Sequence, residues 1–296
     1  MIFSIVDMGS NSLKLSIYDE ELNKEIYSQR DVIRLGQDSF MSGISKESME
    51  RVCETLKVYL AKSKEFLSQS FEVYATSAVR DAKNKDAFID FVKRETGVDI
   101  KVLSGEEEAE IIFKAISNDI GLNERFMALD IGGGSSEIII GERKEILYKE
   151  SFPLGAVRLY DMFLKNNNET EAYERTKSYV YEVLKPSISL ITGYKVKTLI
   201  GSSGTWTNLS DFINNKLDPR PFFVPNEVMD SINILLKMTV EERCCQKGIE
   251  SKRADIIVAG GAIIDVILSR IFFSKIMVTK ASLKEGLIER QKGKML

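Results

Sequence analysis

Four short stretches of this chain gather the residue types that phosphate chemistry uses. The densest is Asp130-Ile-Gly-Gly-Gly-Ser-Ser-Glu137. Consecutive glycines after an apolar run let backbone N–H groups approach an anion closely and adopt conformations that other residues avoid. Asp130, at the end of that run, and Glu137 are hard oxygen donors suited to Mg²⁺, bound directly or through water. A glycine-rich hairpin with no ligand is the plainer alternative. A partner turn lies near the N-terminus, where Asp7, Gly9, Asn11 and Ser12 form D-x-G-x-N-S. Alone it is weak, because any tight hairpin can look like this. Two such turns in one chain make sense together as a pair of facing phosphate loops.

The third stretch, Ser104-Gly-Glu-Glu-Glu-Ala109, opens an amphipathic helix. Ser104 and Glu107 fit a capping box, and acidic residues suit a first helical turn, which accounts for Glu106 and Glu107. Glu108 is different. Its neighbours one turn on are Ile111 and Ile112, so it sits beside the apolar face, where a carboxylate could have a raised pKa and act as a general base toward water. Pure helix capping and a catalytic base are equally open from the spacing. The fourth stretch, ATSAVRDAKN (75–84), carries Arg80 after a strand-to-helix turn, placed to fork onto phosphate oxygens or to pair with Asp81 or another nearby acid. GSSGT (201–205) is a further small-residue turn entering a helix, a candidate anion or nucleotide contact. Trp206 reads as core. The segment from Lys275 to the C-terminus is basic, which suits either a polyanion or a solvated helix face.

Composition narrows the chemistry further. The chain contains no histidine, which excludes Ser-His-Asp and Cys-His triads, histidine metal sites and imidazole acid–base work. Catalysis would therefore run on carboxylates, hydroxyls, lysine, arginine or an oxygen-ligated metal. Lys+Arg 41 against Asp+Glu 44 gives a net charge of −3, without the basic field that non-specific nucleic-acid binding needs. Cys53, Cys244 and Cys245 make neither a C-x-x-C nor a disulfide framework, as expected in a reducing cytoplasm. The N-terminus runs straight into a strand-like segment with no leader signature, and no apolar stretch is long enough to span a membrane. The expectation is a soluble, cytoplasmic protein. Its 296 residues allow two domains with a core each.

The elements that must position these residues repeat. IVDMGSNSLKLSIYD (5–19) matches ALDIGGGSSEIIIG (128–141): an apolar strand ending in Asp, a turn of small residues, then a second strand. A third strand follows in each half, over Glu25–Leu35 and Glu145–Pro153. VYATSAVRDA (73–82) echoes LIGSSGTWTNL (199–209), each a strand running into a Ser/Thr/Gly turn that opens a helix. Apolar spacing predicts helices over 45–68, 86–97, 105–118, 156–165, 169–184, 226–238, 252–271 and 282–291, with strands over 98–104 and 274–279. The proline-rich 217–225 reads as a surface excursion, and the hinge as SNDIGLNE (118–125). The expectation is an α/β protein of two lobes facing an active-site cleft, 1–120 and 121–296, the last helix returning to the first lobe.

Taken in order, DMGSNSLKL (7–15), ATSAVRDAKN (75–84), SGEEEA (104–109), DIGGGSSE (130–137), LGAVRL (154–159) and GSSGT (201–205) resemble the motif set of the exopolyphosphatase/guanosine pentaphosphate phosphohydrolase family. RADIIVAGGAIID (253–265) and LKEGL (283–287) extend the likeness over nearly the whole chain. The resemblance implies two ribonuclease-H-like lobes of the actin, sugar-kinase and Hsp70 ATPase superfamily. It implies a first phosphate loop at Gly9, Ser10, Asn11 and Ser12, and a second at Gly132, Gly133, Gly134 and Ser135. Arg80 would contact phosphate, Glu108 would be the catalytic base, and Asp7, Asp130 and Glu137 would hold the metal. The metal the resemblance implies is Mg²⁺, or Mn²⁺ in its place, with a K⁺ requirement left open.

The implied reaction is release of terminal orthophosphate from inorganic polyphosphate, or of the 5′-phosphate of guanosine pentaphosphate. The implied partners are that substrate and a second copy in a homodimer, with no specific nucleic acid and no membrane. The chain departs from the family at Lys280-Ala-Ser-Leu-Lys284, where an Asp-Gly-Leu-Arg-like run is common, and its length matches the two-lobed core alone. A small-molecule kinase of the same superfamily shares the glycine turns, but would typically present an aspartate base where this chain has SGEEEA. A non-catalytic alarmone or polyphosphate sensor is a further alternative, ranked lower because every implied site residue is present. An iron–sulfur activator ATPase is disfavoured, since adjacent Cys244 and Cys245 with a distant Cys53 do not make a cluster site.

Overall fold

The computed structural model describes residues 1–37, 39–121, 123–165, 169–215 and 221–293. It divides into two compact units, Met1–Ile111 with Leu283–Leu296, and Ile112–Ser282.

In unit 1 an antiparallel meander of β1 (Ile2–Met8), β2 (Ser12–Asp19) and β3 (Lys24–Val32) leads through α1 (Ser39–Ser42) and α2 (Lys46–Glu65) to β4 (Phe71–Ala75). Then come α3 (Ser77–Arg80), α4 (Lys85–Thr96), β5 (Ile100–Val102) and the start of α5 (Gly105–Ile120). The sheet order is β3-β2-β1-β4-β5, with β4 and β5 parallel to β1. β1, the central strand, is buried on both faces from Phe3 to Met8, and its Val6 and Met8 lie in one core with Leu56, Val73 and Phe88. A closing helix, Leu283–Lys292, belongs to this unit, and Gly286 is where it presses on the Ile111 carbonyl.

Unit 2 repeats the plan. Its meander is β6 (Arg125–Ile131), β7 (Ser136–Glu142) and β8 (Glu145–Phe152), followed by α6 (Ala156–Leu159), a π-helical turn over Tyr160–Leu164, and α7 (Glu169–Gly193). β9 (Thr198–Ser202), α8 (Ser203–Asn214), α9 (Pro225–Leu236), α10 (Val240–Cys244), α11 (Ile257–Arg270) and β10 (Lys275–Val278) complete it. The sheet order β10-β9-β6-β7-β8 is that of unit 1, strand for strand. Even the register irregularity recurs in the second strand of each meander, at Ile17/Tyr18 and at Ile140/Gly141. The expected ribonuclease-H-like α/β plan is what each unit has.

Three details differ from the sequence expectations. The units divide inside α5 rather than near 118–125, because Phe113 packs on Phe126 and on Gly141 of the second sheet. α7 continues past Pro186 to Gly193, where the spacing predicted an end at 184. Pro186 removes one helical hydrogen bond, but Ile191 is buried in the same core as Ala172, Val180 and Leu184, and that packing outweighs the local loss. The helix expected over 252–271 begins as a 3₁₀ turn, Ser251–Arg253, with the α-helix starting at Ile257. Of the proline-rich segment, 217–220 lies outside the described residues, as do residues 294–296 of the basic C-terminal segment; the rest is not a pure surface excursion, since Phe223 is buried and bridges Ile276. No helix among the described residues is long and apolar enough to cross a membrane.

Candidate active site

In unit 1 the candidate turn joins β1 to β2. The Gly9 N–H closes it on the Ser12 carbonyl at 3.0 Å. The next carbonyls are drawn off to a brace formed by the chain after β3. Asn11 O accepts from the amides of Ile33 and Arg34 at 3.2 and 2.9 Å, and Ser10 O accepts from Gly36 at 2.7 Å. With the carbonyls engaged, the Ser10 and Asn11 amides have no acceptor among the described residues. The Asn11 side-chain amide nitrogen is likewise buried without a partner there. Ser10 Oγ lies 3.1 Å from Ser77 Oγ at the start of α3, and Arg30 Nε donates to Ser12 Oγ at 3.3 Å. Four of the expected phosphate residues, Gly9, Ser10, Asn11 and Ser12, therefore form one donor-rich turn.

Unit 2 builds the second turn by the same device with a different segment. Gly132 N–H closes on Ser135 O at 3.0 Å. The carbonyl of Gly132 accepts from Ala156 N, and that of Gly133 from both Val157 N and Arg158 N, at 2.8–3.0 Å. Arg158 Nε adds a 2.7 Å bond to the Gly134 carbonyl. The unpaired amides that begin any helix thus serve here to hold the turn. Gly155 permits the approach, since a Cβ there would lie 2.4 Å from the Gly133 backbone. The Gly133 and Gly134 amides are left without an acceptor among the described residues.

The three expected metal carboxylates have unlike surroundings. Asp130 and Glu137 are direct partners across the β6–β7 ladder, so their side chains share one face of the sheet. They are 3% and 0% exposed. Ser202 Oγ donates to Asp130, Ser203 Oγ lies 2.7 and 2.8 Å from its two oxygens, and Ser151 Oγ donates to Glu137 Oε1 at 2.7 Å. Two buried carboxylates side by side, each oriented by hydroxyls, form a hard oxygen pair that fits Mg²⁺. Asp7 belongs to the other unit and has a different partner. Its ladder neighbour is Lys14, whose Nζ lies 3.0 Å from Oδ2. Among the described residues no three acidic or thiol side chains converge as a metal cluster.

Glu108 and Arg80 are brought together. α5 starts with the expected capping box: Glu107 N donates to Ser104 Oγ at 3.1 Å, and Ser104 N to Glu107 Oε2 at 2.9 Å. Glu107 is thereby used up as a cap, and the backbone N–H of Ser104 holds its carboxyl below the ordinary value of 4.5. Glu108, next in line, turns inward and is 7% exposed beside buried Ile111 and Ile112. The surroundings are not wholly apolar, since Arg80 NH1 lies 2.9 Å from Glu108 Oε2. The same guanidinium donates to the Leu103 carbonyl at 3.2 Å and lies 3.4 Å from Asp81, so the plainer pairing read from the sequence is present as well. Trp206 is core, its ring against Gly201, where a Cβ would lie 2.1 Å away.

Sequence reasoning singled out the 201–205 turn as an anion or nucleotide contact, whereas Ser202 and Ser203 there bond Asp130; it did not single out Lys14, Ser77 or the brace residues Arg34, Gly36 and Gly155. For Lys14 a signal existed: it occupies the position of Glu137 when the two Asp-containing turns are superposed.

Comparison with known proteins identifies the family of the chain. A family model for the Ppx/GppA phosphatase family matches residues 7–294. The bifunctional 3-dehydroquinate synthase/phosphatase of Fusobacterium nucleatum is 31% identical over 291 residues, covering 91% of this chain and 43% of that protein. Exopolyphosphatase 1 of Mycobacterium tuberculosis is 27% identical and covers 98% of this chain and 88% of its own. The crystal structure of an exopolyphosphatase from Cytophaga hutchinsonii superposes with a TM-score of 0.89 at 30% identity, covering 98% of this chain and 97% of that one. This chain therefore belongs to the Ppx/GppA phosphatase family and is a hydrolase of the phosphatase class.

Proposed function

We propose that this chain is a Mg²⁺-dependent exopolyphosphatase that removes terminal orthophosphate from inorganic polyphosphate by attack of a water activated at Glu108. The observation that carries the reading is the buried Glu108 carboxylate, set apart from the capping Glu107 and held by Arg80 at 2.9 Å. Asp130 and Glu137 would hold the Mg²⁺, which supplies neutralisation of the phosphoryl oxygens.

Glu108 accepts the proton of the attacking water as its oxygen bonds to phosphorus and the bridging P–O bond breaks. The shortened chain leaves with the bridging oxygen, so no covalent intermediate and no histidine are required. Arg80 keeps the Glu108 carboxylate in place and is the arginine assigned to phosphate. Within each unit the free turn amides, Ser10 and Asn11 in one and Gly133 and Gly134 in the other, are donors of the kind that stabilise phosphate oxygens as their charge grows in the transition state.

The test is phosphate release from long-chain polyphosphate with Mg²⁺, wild type against Glu108→Gln, with guanosine pentaphosphate and ATP in parallel. General-base catalysis is worth about 10²–10⁴-fold, so kcat of the variant should fall by that factor with KM little changed. Faster release from guanosine pentaphosphate than from polyphosphate would reassign the substrate within the family. Wild-type silence on both sinks the proposal, and ATP turnover that needs an acceptor would point to a kinase.

A further inference from the structure

Ser203 has a backbone φ of 70°, in the left-handed region, at the first residue of α8. Left-handed backbone costs a side-chain-bearing residue energy, and serine is not among the residues that tolerate it best. A glycine at this position would adopt the same backbone without penalty but would bring no hydroxyl.

The hydroxyl has one visible use. Ser203 Oγ lies 2.7 Å from Asp130 Oδ1 and 2.8 Å from Oδ2. The preceding Ser202 is the N-cap residue of α8, a place where a serine ordinarily bonds its own helix. It makes no such cap and donates to Asp130 instead. The ladder explains its reach, for Asp130 and Ser202 are register partners across β6 and β9. The next residue, Gly204, is pressed against the Arg253 guanidinium, where a Cβ would lie 2.0 Å from Cζ. α8 therefore begins with its start fixed in place, its cap forgone and one residue strained, and both serine hydroxyls converge on a single carboxylate.

We propose that Ser203 is a positioning residue for Asp130. The strained backbone sets its hydroxyl across both carboxylate oxygens, and this fixes the carboxylate in the orientation that binds the cation. The inference rests on the phosphatase reading for its assignment of Asp130, and it adds that the strain at Ser203 is kept for function at the expense of stability.

Two variants separate the hydroxyl from the strain. Ser203→Gly removes both, and Ser203→Ala removes the hydroxyl alone. Thermal unfolding is followed with and without Mg²⁺, and phosphate release is measured against Mg²⁺ and against polyphosphate. Relief of the strain should raise the Tm of Ser203→Gly without Mg²⁺ by about 2–4 °C, while Ser203→Ala gains nothing. In both variants the rise in Tm on adding Mg²⁺ should shrink. The Mg²⁺ concentration for half-maximal release should increase about tenfold, with KM for polyphosphate unchanged. A merely structural serine would not produce that split.

The inference is overturned if Ser203→Gly keeps the wild-type Mg²⁺ response, or if it loses stability instead of gaining it. A wild type with no Mg²⁺-dependent rise in Tm also overturns it. The thermal measurement needs no substrate, so it decides this point even if the wild type proves inactive on polyphosphate and the functional reading fails.

Discussion

The two Asp-containing turns are copies that differ in one side chain. Asp7 and Asp130 end equivalent strands, and each is paired across the hairpin with the residue seven positions on. In unit 1 that residue is Lys14, and the pair neutralises itself at 3.0 Å. In unit 2 it is Glu137, and two carboxylates lie together at 3% and 0% exposure. Burying like charges side by side is costly unless a cation joins them. The duplication has thus produced one turn whose carboxylate carries its own counter-ion and one whose carboxylates suit an external one. This contrast supports the proposal that Mg²⁺ binds at Asp130 and Glu137, whereas Asp7 is paired with Lys14.

The strongest way to break this comparison is to make the second turn resemble the first. Glu137→Lys places an ammonium where Lys14 sits in the sister turn. Mg²⁺-dependent phosphate release should fall by about 10³-fold or more, the scale of losing a whole electrostatic element of the site. The new Lys–Asp130 pair should keep the fold, checked by circular dichroism. Because position 137 is fully buried, Glu137→Gln provides a near-isosteric second variant with the same expected loss of Mg²⁺ dependence. If Glu137→Gln retains Mg²⁺-dependent turnover within tenfold of wild type, the two turns do not differ in the way described.

A second contrast concerns the braces. Both turns have their carbonyls drawn away, but unit 1 does this with the chain at 33–36 and unit 2 with the start of α6. Gly155 stands 2.4 Å, in Cβ terms, from backbone of the turn itself, which cannot move without moving the glycine loop. Gly36 also faces its turn, but less tightly: a Cβ there would lie 2.8 Å from the Ser10 Cβ, 3.1 Å from the Ser10 carbonyl oxygen and 3.0 Å from the ring of Phe40, the last a side chain that can give. Gly155→Ala should cost about 3 kcal/mol and Gly36→Ala about 1–2 kcal/mol in denaturant unfolding. Activity should follow the same order. Equal costs would mean that the two braces are equally compliant.

Much of this was legible in the sequence because it is local. A strand ending in Asp, a small-residue turn and a second strand are adjacent in the chain, so both hairpins and their duplication could be read directly. The Ser104–Glu107 box and the inward turn of Glu108 follow from helical spacing over a single turn. What spacing could not give was any partner from a distant segment. Arg80 meets Glu108 only because α3 and α5 follow parallel neighbouring strands, β4 and β5. Ser202 and Ser203 reach Asp130 through the β6–β9 pairing, across more than seventy residues of chain. α7 outran its expected end for the same reason, since the core that holds Ile191 is assembled from several elements. The charge difference between Lys14 and Glu137 was in plain view, but it acquires meaning only once the register shows both residues facing their aspartates.

The smallest contrast is between two helix starts. α5 caps itself: Ser104 and Glu107 exchange hydrogen bonds, and the next residue is Glu108. α8 has serines at the corresponding place but spends them on Asp130. Glu107→Ala should therefore lower stability by about 0.5–1 kcal/mol, the usual worth of a cap, whereas Ser203→Gly should raise it. The pH dependence has a definite sign. The Ser104 N–H bonds the ionised carboxyl and depresses the Glu107 pKa below 4.5, so the cap contributes fully above the unfolded-state value. That contribution is lost as pH falls through the folded-state value. The stability gap between wild type and Glu107→Ala should be widest at neutral pH and close in acid, read from urea unfolding at a series of pH values. A gap that is constant with pH would mean that the carboxylate charge has no part in the cap, and that α5 starts where it does because of packing around Ile111 and Ile112 instead.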